Sequence, residues 1–280
     1  MHGLAGLDAA AQGPGQQGKH RSASAGGRRV TQARHGRLAQ AAEADVFTRF
    51  AADYAAEHRG RAITLLQAGC TTAGAELDLA ALLKSMPELI ISRVDDDGVI
   101  VRAIAASRPE LSAATVTELR TLALAPRSVD LVQCAMLLHR VRNAELVLDR
   151  LVAALRPGGL LFLRTADRDT AAGFLDRKLP RSGRALAWRA AWPGQPGPFP
   201  ACYEPIASGR GIEAFVVRHG LAIAHRQACS GTGRPGREQQ IPTAQRLVAR
   251  LSRGRLDASH DELRYVIRKP VDRFARILSP

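Results

Sequence analysis

The sequence predicts an α/β chain folded on a doubly wound, Rossmann-like sheet that is mostly parallel. Two observations lead there. Short, nearly continuous apolar runs alternate with longer segments whose apolar residues recur every three or four positions. The runs are apolar on both faces, as strands of a parallel sheet covered by helices must be. Right-handed crossovers then give the doubly wound arrangement, with ligands at the carboxyl ends of the strands.

Residues 1–36 show no apolar periodicity and read as a disordered basic tail. The rest, 37–280, reads as one domain with a core at 60–165, an insert or lid at 167–210, and C-terminal strands and helix at 211–280. From about Gly36 to Arg59, Leu38, Ala41, Ala42, Val46, Phe47, Phe50 and Tyr54 recur at helical spacing. AITLLQA is the first buried strand and AGAELDLAALLKSM the helix after it. ELIISRV is the second strand and runs into Asp95, Asp96 and Asp97, the last a suitable N-cap for the helix GVIVRAIAAS. ATVTEL and VDLVQCAML are strands three and four, followed by the helix NAELVLDRLVAAL. In RPGG, Pro157 stops that helix and Gly158 and Gly159 turn the chain into the fifth strand, LLFLRT. After Thr165 the pattern breaks, and the stretch containing WPGQPGPFP is too rich in Pro and Gly for a regular element. Arg164, Asp167, Arg168 and Asp169 are close enough in sequence to pair with one another. GIEAFVVRHG reads as a helix ending at Gly220, LAIAHRQA as a strand, TAQRLVARLSRG as a basic amphipathic helix and ELRYVIRKP as the last strand.

Composition narrows the function classes. Hydrophobic residues are 46% of 280 but aromatics only 4%, so the core is Ala, Leu, Val and Ile, and a base-stacking surface is poorly supplied. The net charge is +14, with Lys only at 19, 84, 178 and 269, so 36 of the 40 basic residues are Arg. They are scattered rather than gathered in a stripe, which leaves nucleic acid a possible but not a favoured partner. Cys70, Cys134, Cys202 and Cys229 form no CxxC pair and have no His cluster beside them, so no metal site is expected. Free cysteines in core strands suit a reducing, cytoplasmic setting. No apolar run reaches the roughly 20 residues that span a bilayer, and no secretory h-region is seen.

Four pieces carry a resemblance to a known family: LLQAGCTTAG, RVDD, TELRTLALAPRSVDLVQCAMLLHRV and VLDRLVAALRPGGLLFLR. In this order they resemble the class I S-adenosylmethionine-dependent methyltransferases over residues 60–165 and, more weakly, to 270. The ending, with LSRGRL and YVIRKPVDRFARIL, is similar to an actinobacterial group of type 11/12-like methyltransferases. The resemblance implies a seven-stranded sheet in the order 3-2-1-4-5-7-6 with an antiparallel last strand. It implies S-adenosylmethionine as cofactor and a small-molecule acceptor, with the oligomeric state open. Gln67, Gly69, Cys70 and Thr71 would meet the cofactor's amino-acid portion, Asp95 the ribose, and Glu118 and Leu119 the adenine, with Asp96 beside them in the cofactor site or in the acidic turn that caps the next helix. His139, after strand four, would be the general base or an orienting histidine.

The Gly-rich loop departs from that pattern. Gln67 stands where an acid is usual, and Thr71 and Ala73 stand where glycines are usual, with Gly74 following. Gln67 accepts hydrogen bonds but offers no charge to an ammonium group. A second reading is therefore a non-catalytic protein that keeps the fold for binding or assembly. A nicotinamide oxidoreductase is a third: Gly69 and Gly74 fit the first and last positions of GxGxxG, but Thr71 does not fit the middle. A nucleic-acid modifier recruited by the basic tail is a fourth. The segment around Trp188, Trp192, Phe199 and Tyr203 follows strand five, where it forms either a lid or a plug.

Overall fold

The computed structural model describes residues 46–69, 77–95, 113–116, 119–191, 197–230 and 243–271. The tail, the helix expected at GVIVRAIAAS, and Cys70, Thr71, Ala73, Gly74, Asp96, Asp97, Glu118 and Trp192 lie outside them. Seven strands form one sheet: β1 (Thr64–Ala68), β2 (Ile90–Asp95), β3 (Ala113–Val116), β4 (Val129–Ala135), β5 (Leu155–Ala166), β6 (Ala222–Cys229) and β7 (Glu262–Arg268). Their order is β3-β2-β1-β4-β5-β7-β6. The first five pair in parallel, and β7 runs antiparallel to both β5 and β6. Described helices are α1 (46–57), α2 (Leu79–Ser85), α3 (Ala144–Ala154), α4 (Ala171–Lys178), α5 (Arg181–Ala191), α6 (Gly209–Arg218) and α7 (Thr243–Leu251).

Successive strand residues feed opposite apolar layers, as a period of two requires. Leu65 and Leu131 join Phe47, Tyr54, Leu82, Ile91 and Phe162 on one face. Leu66 and Val132 join Leu148, Leu151, Ile212 and Phe215 on the other. On the first face the α1 ring of Phe47 lies 5.4 Å from that of Phe162 in β5.

The amino-terminal ends of the central strands are tied at one carboxylate. Asp130 of β4, fully buried, accepts from Arg61 and Arg156 at 2.7 Å, from the Thr64 hydroxyl at 2.9 Å and amide at 3.0 Å, and from the Tyr54 hydroxyl at 3.1 Å.

Three local expectations are corrected. RPGG does not precede the fifth strand. Pairing jumps from Val129↔Leu155 to Leu131↔Leu160, so these residues form a bulge inside β5, after a helix that already ends at Ala154. Gly159 is needed there because a Cβ would sit 2.6 Å from the Asp130 carbonyl oxygen. The insert is not irregular throughout: it contains α4 and α5. The Thr170 hydroxyl accepts the Gly173 amide and caps α4. Two of the charges at 164–169 find partners outside that stretch. Arg164 binds Glu262 at 2.5 Å, and Asp167 binds His260 at 2.9 Å.

Candidate cofactor and substrate site

The carboxyl ends of β1, β2 and β4 bring the sequence-predicted residues together. β1 leaves the sheet at Gly69, whose φ of +94° is open to glycine and costly for other residues. A Cβ there would lie 2.4 Å from the Ala135 carbonyl oxygen and 2.9 Å from the Leu137 Cβ. This close approach is to the chain's own β4, so it is one reason for glycine at 69 whether or not a ligand binds. The Gly69 carbonyl accepts from Arg93 at 2.8 Å.

Gln67 is buried. Its Nε2 donates to Gln133 Oε1 at 2.6 Å, while its own Oε1 is buried with no partner. Asp95, at the end of the neighbouring strand, is 0% exposed. Both of its oxygens accept from Arg140 Nη2, at 2.7 and 2.8 Å. Leu119 opens a single 3₁₀ turn and is buried in the core with Val94 and Leu122. Cys70, Thr71, Asp96 and Glu118 carry no described geometry.

Arg140 is the residue that sequence reasoning missed. Besides gripping Asp95, its guanidinium lies 5.0 Å from the centroid of the Phe199 ring, in the insert. Its only signal was a cation in LLHRV, opposite the acid that ends strand two.

His139 sits beside it. Its carbonyl accepts the amides of Cys202 and Tyr203, both at 2.9 Å, and its ring is 5.4 Å from that of Tyr203. Burial, then the nearby Arg140 charge, holds its pKa down at about 3, so the ring is neutral. Nδ1 is buried without a hydrogen-bond partner. Burial, then Asp176, pushes the Tyr203 phenol well above its usual range, and its hydroxyl bonds Asp176. Asp176 also binds Arg184 at 3.0 Å, and Arg184 donates to the Phe199 carbonyl. The insert returns to the core through Glu204, whose carboxylate takes the amides of Asn143 and Ala144 at 2.7 and 2.9 Å. A carboxylate at the start of α3 also suits the helix dipole.

These groups border a cavity of about 310 Å³ lined by His139, Leu175, Asp176, Arg184, Trp188 and Phe199, among others. A second cavity, about 360 Å³, lies by His58, Arg61 and Met86 near the starts of β1 and β2, at the opposite end of the strands. None of the sequence-predicted site residues lines it.

A family model described as a methyltransferase domain matches residues 66–163. No curated protein matches the sequence. Among solved structures, the chain is similar to an S-adenosylmethionine-dependent methyltransferase from Mesorhizobium loti, at 16% identity, 74% coverage of this chain, 90% of that one and a TM-score of 0.45. It is similar to a methyltransferase of the same cofactor class, described as putative, from Listeria monocytogenes, at 14% identity, 74% and 90% coverage and a TM-score of 0.49. It is also similar to geranyl diphosphate C-methyltransferase from Streptomyces coelicolor, at 13% identity, 92% and 90% coverage and a TM-score of 0.48. The strand order and the domain match give the chain the class I S-adenosylmethionine-dependent methyltransferase fold.

Proposed function

We propose that the chain binds S-adenosylmethionine at the carboxyl ends of β1, β2 and β4 and directs methyl transfer to a small-molecule acceptor beside His139. One observation carries this reading. A buried acceptor without a partner, Gln67 Oε1, and a buried carboxylate, Asp95, end adjacent strands inside the segment that matches a methyltransferase domain. The donor set fits the cofactor: Gln67 Oε1 suits an ammonium hydrogen, and Asp95 suits ribose hydroxyls. Gly69 keeps the turn close to the sheet. Cys70, Thr71, Asp96 and Glu118 extend the same site by family resemblance, with Leu119 as the apolar residue behind it. The bound cofactor would supply an electrophilic methyl group on its sulfonium. The chain's own part is to orient the acceptor and exclude water, which supplies much of the rate of a displacement. A cytoplasmic setting suits this reading. No helix among the described residues is long and apolar enough to cross a membrane.

One observation favours a second reading, a non-catalytic binding protein: Arg140 already holds both oxygens of Asp95. Isothermal titration with S-adenosylmethionine and S-adenosylhomocysteine, with NAD as control, separates the two. Micromolar binding that weakens about tenfold or more in Asp95→Asn supports the enzyme. Absence of binding to both sulfur compounds supports the binding protein.

A further inference from the structure

The cavity beside His139 has apolar walls, with Leu175, Leu179 and Ala187 facing Trp188 and Phe199. Its charged groups are matched to one another. Asp176 takes both Arg184 and the Tyr203 hydroxyl, and Arg184 also serves the Phe199 carbonyl. An ionic ligand would lose its hydration there and find no uncommitted counter-charge. At about 310 Å³, the cavity is at the small end of ligand-sized pockets.

His139 and the half-buried Gln245 of α7 supply the remaining polar side chains. A neutral imidazole carries one N–H and one lone pair. Nδ1 is sealed without a partner. A buried N–H left unpaired is rarer than a buried lone pair left unpaired, so the proton belongs on Nε2. The residue is only half-buried and lines the cavity, which leaves Nε2 as the nitrogen open to a ligand.

We infer that the cavity takes an uncharged, largely apolar molecule that presents an oxygen or nitrogen lone pair to the His139 Nε2–H, and that this molecule is the methyl acceptor. The second half of that statement rests on the function proposed above. His139 is then a positioning donor: a ring already protonated on Nε2 cannot take a proton there from a hydroxyl, so the proton that an acceptor loses on gaining the methyl group would pass to water, and the cofactor's sulfonium would leave as a neutral thioether.

Ligand-observed NMR titrations test this with three probes and no cofactor: 2-acetylnaphthalene, naphthalene and 2-naphthalenesulfonate. The acetyl compound is expected to bind about fivefold more tightly than naphthalene, the worth of one net hydrogen bond. The sulfonate is expected to bind weakest. His139→Phe should erase the acetyl advantage while naphthalene still binds, and His139→Gln, which restores an N–H donor, should recover it. The inference is overturned if the sulfonate binds tightest, if acetyl and parent compounds bind equally to the wild type, if the advantage survives in His139→Phe, or if no probe binds. Because no probe needs the cofactor, failure here with S-adenosylmethionine still bound removes only the ligand class. The expected preferences without cofactor binding remove only methyl transfer.

Discussion

Asp95 has no exposed surface, and both of its oxygens accept from one guanidinium nitrogen of Arg140. Removing one partner of such a buried pair leaves an uncompensated charge, at a cost of ~3–5 kcal/mol. Asp95→Ala is therefore expected to lower unfolding free energy by that amount in urea titrations. The double variant Asp95→Ala/Arg140→Met should recover a large part of it, because the stranded charge is gone. A double variant as unstable as the sum of the single ones would show that the pair does not couple. Asp95 and Gly69 were legible because each occupies a motif position whose chemistry is local. Arg140 was not: its partner lies 45 residues earlier in the chain, and nothing local marks a buried cation. His139 was found for its position, but its neutrality depends on burial and on Arg140, which only the fold reveals.

The insert is joined to the sheet through His260, just ahead of β7, and Asp167, just ahead of α4. Asp167 raises the His260 pKa by hydrogen bond and charge, Asp257 and Asp261 add to this, and partial burial opposes them. A folded pKa above the unfolded value of about 6.5 means that this stabilisation is complete below pH 6.5. It fades as pH rises through the folded value. Thermal unfolding at pH 5.5 and 8.5 should show the wild type losing more stability with pH than His260→Gln; equal losses would remove the tie. Strands β1, β4 and β5 were legible because nearly every residue in them is buried. The insert helices were not. In α5, Leu186 is 72% exposed, so there is no buried apolar stripe to read, and the Pro and Gly residues of WPGQPGPFP dominated the region.

Across the whole molecule, the two ends of the strands are built differently. At the amino-terminal end Asp130 gathers Tyr54, Arg61, Thr64 and Arg156. Burial pushes its carboxyl upward, but the Thr64 amide, Arg156, the Thr64 hydroxyl and Arg61 outweigh this and hold it below the usual range. Its contribution is present above about pH 4 and is lost as pH falls through the lowered value. Asp130→Asn is expected to cost about 2–3 kcal/mol, less than a fully buried pair because both arginines are partly exposed. It should leave S-adenosylmethionine affinity unchanged by calorimetry; a large loss of affinity would mean that the two ends are coupled. At the other end Arg140 touches Asp95 in the sheet and Phe199 in the insert. A route of uptake in which this pair parts before a ribose takes Asp95 is a two-step event in time. In stopped-flow mixing, the rate of S-adenosylmethionine uptake should first climb with concentration and then level off. The plateau is the frequency at which one guanidinium lets go, so a single side chain would set the pace at which the molecule can be loaded.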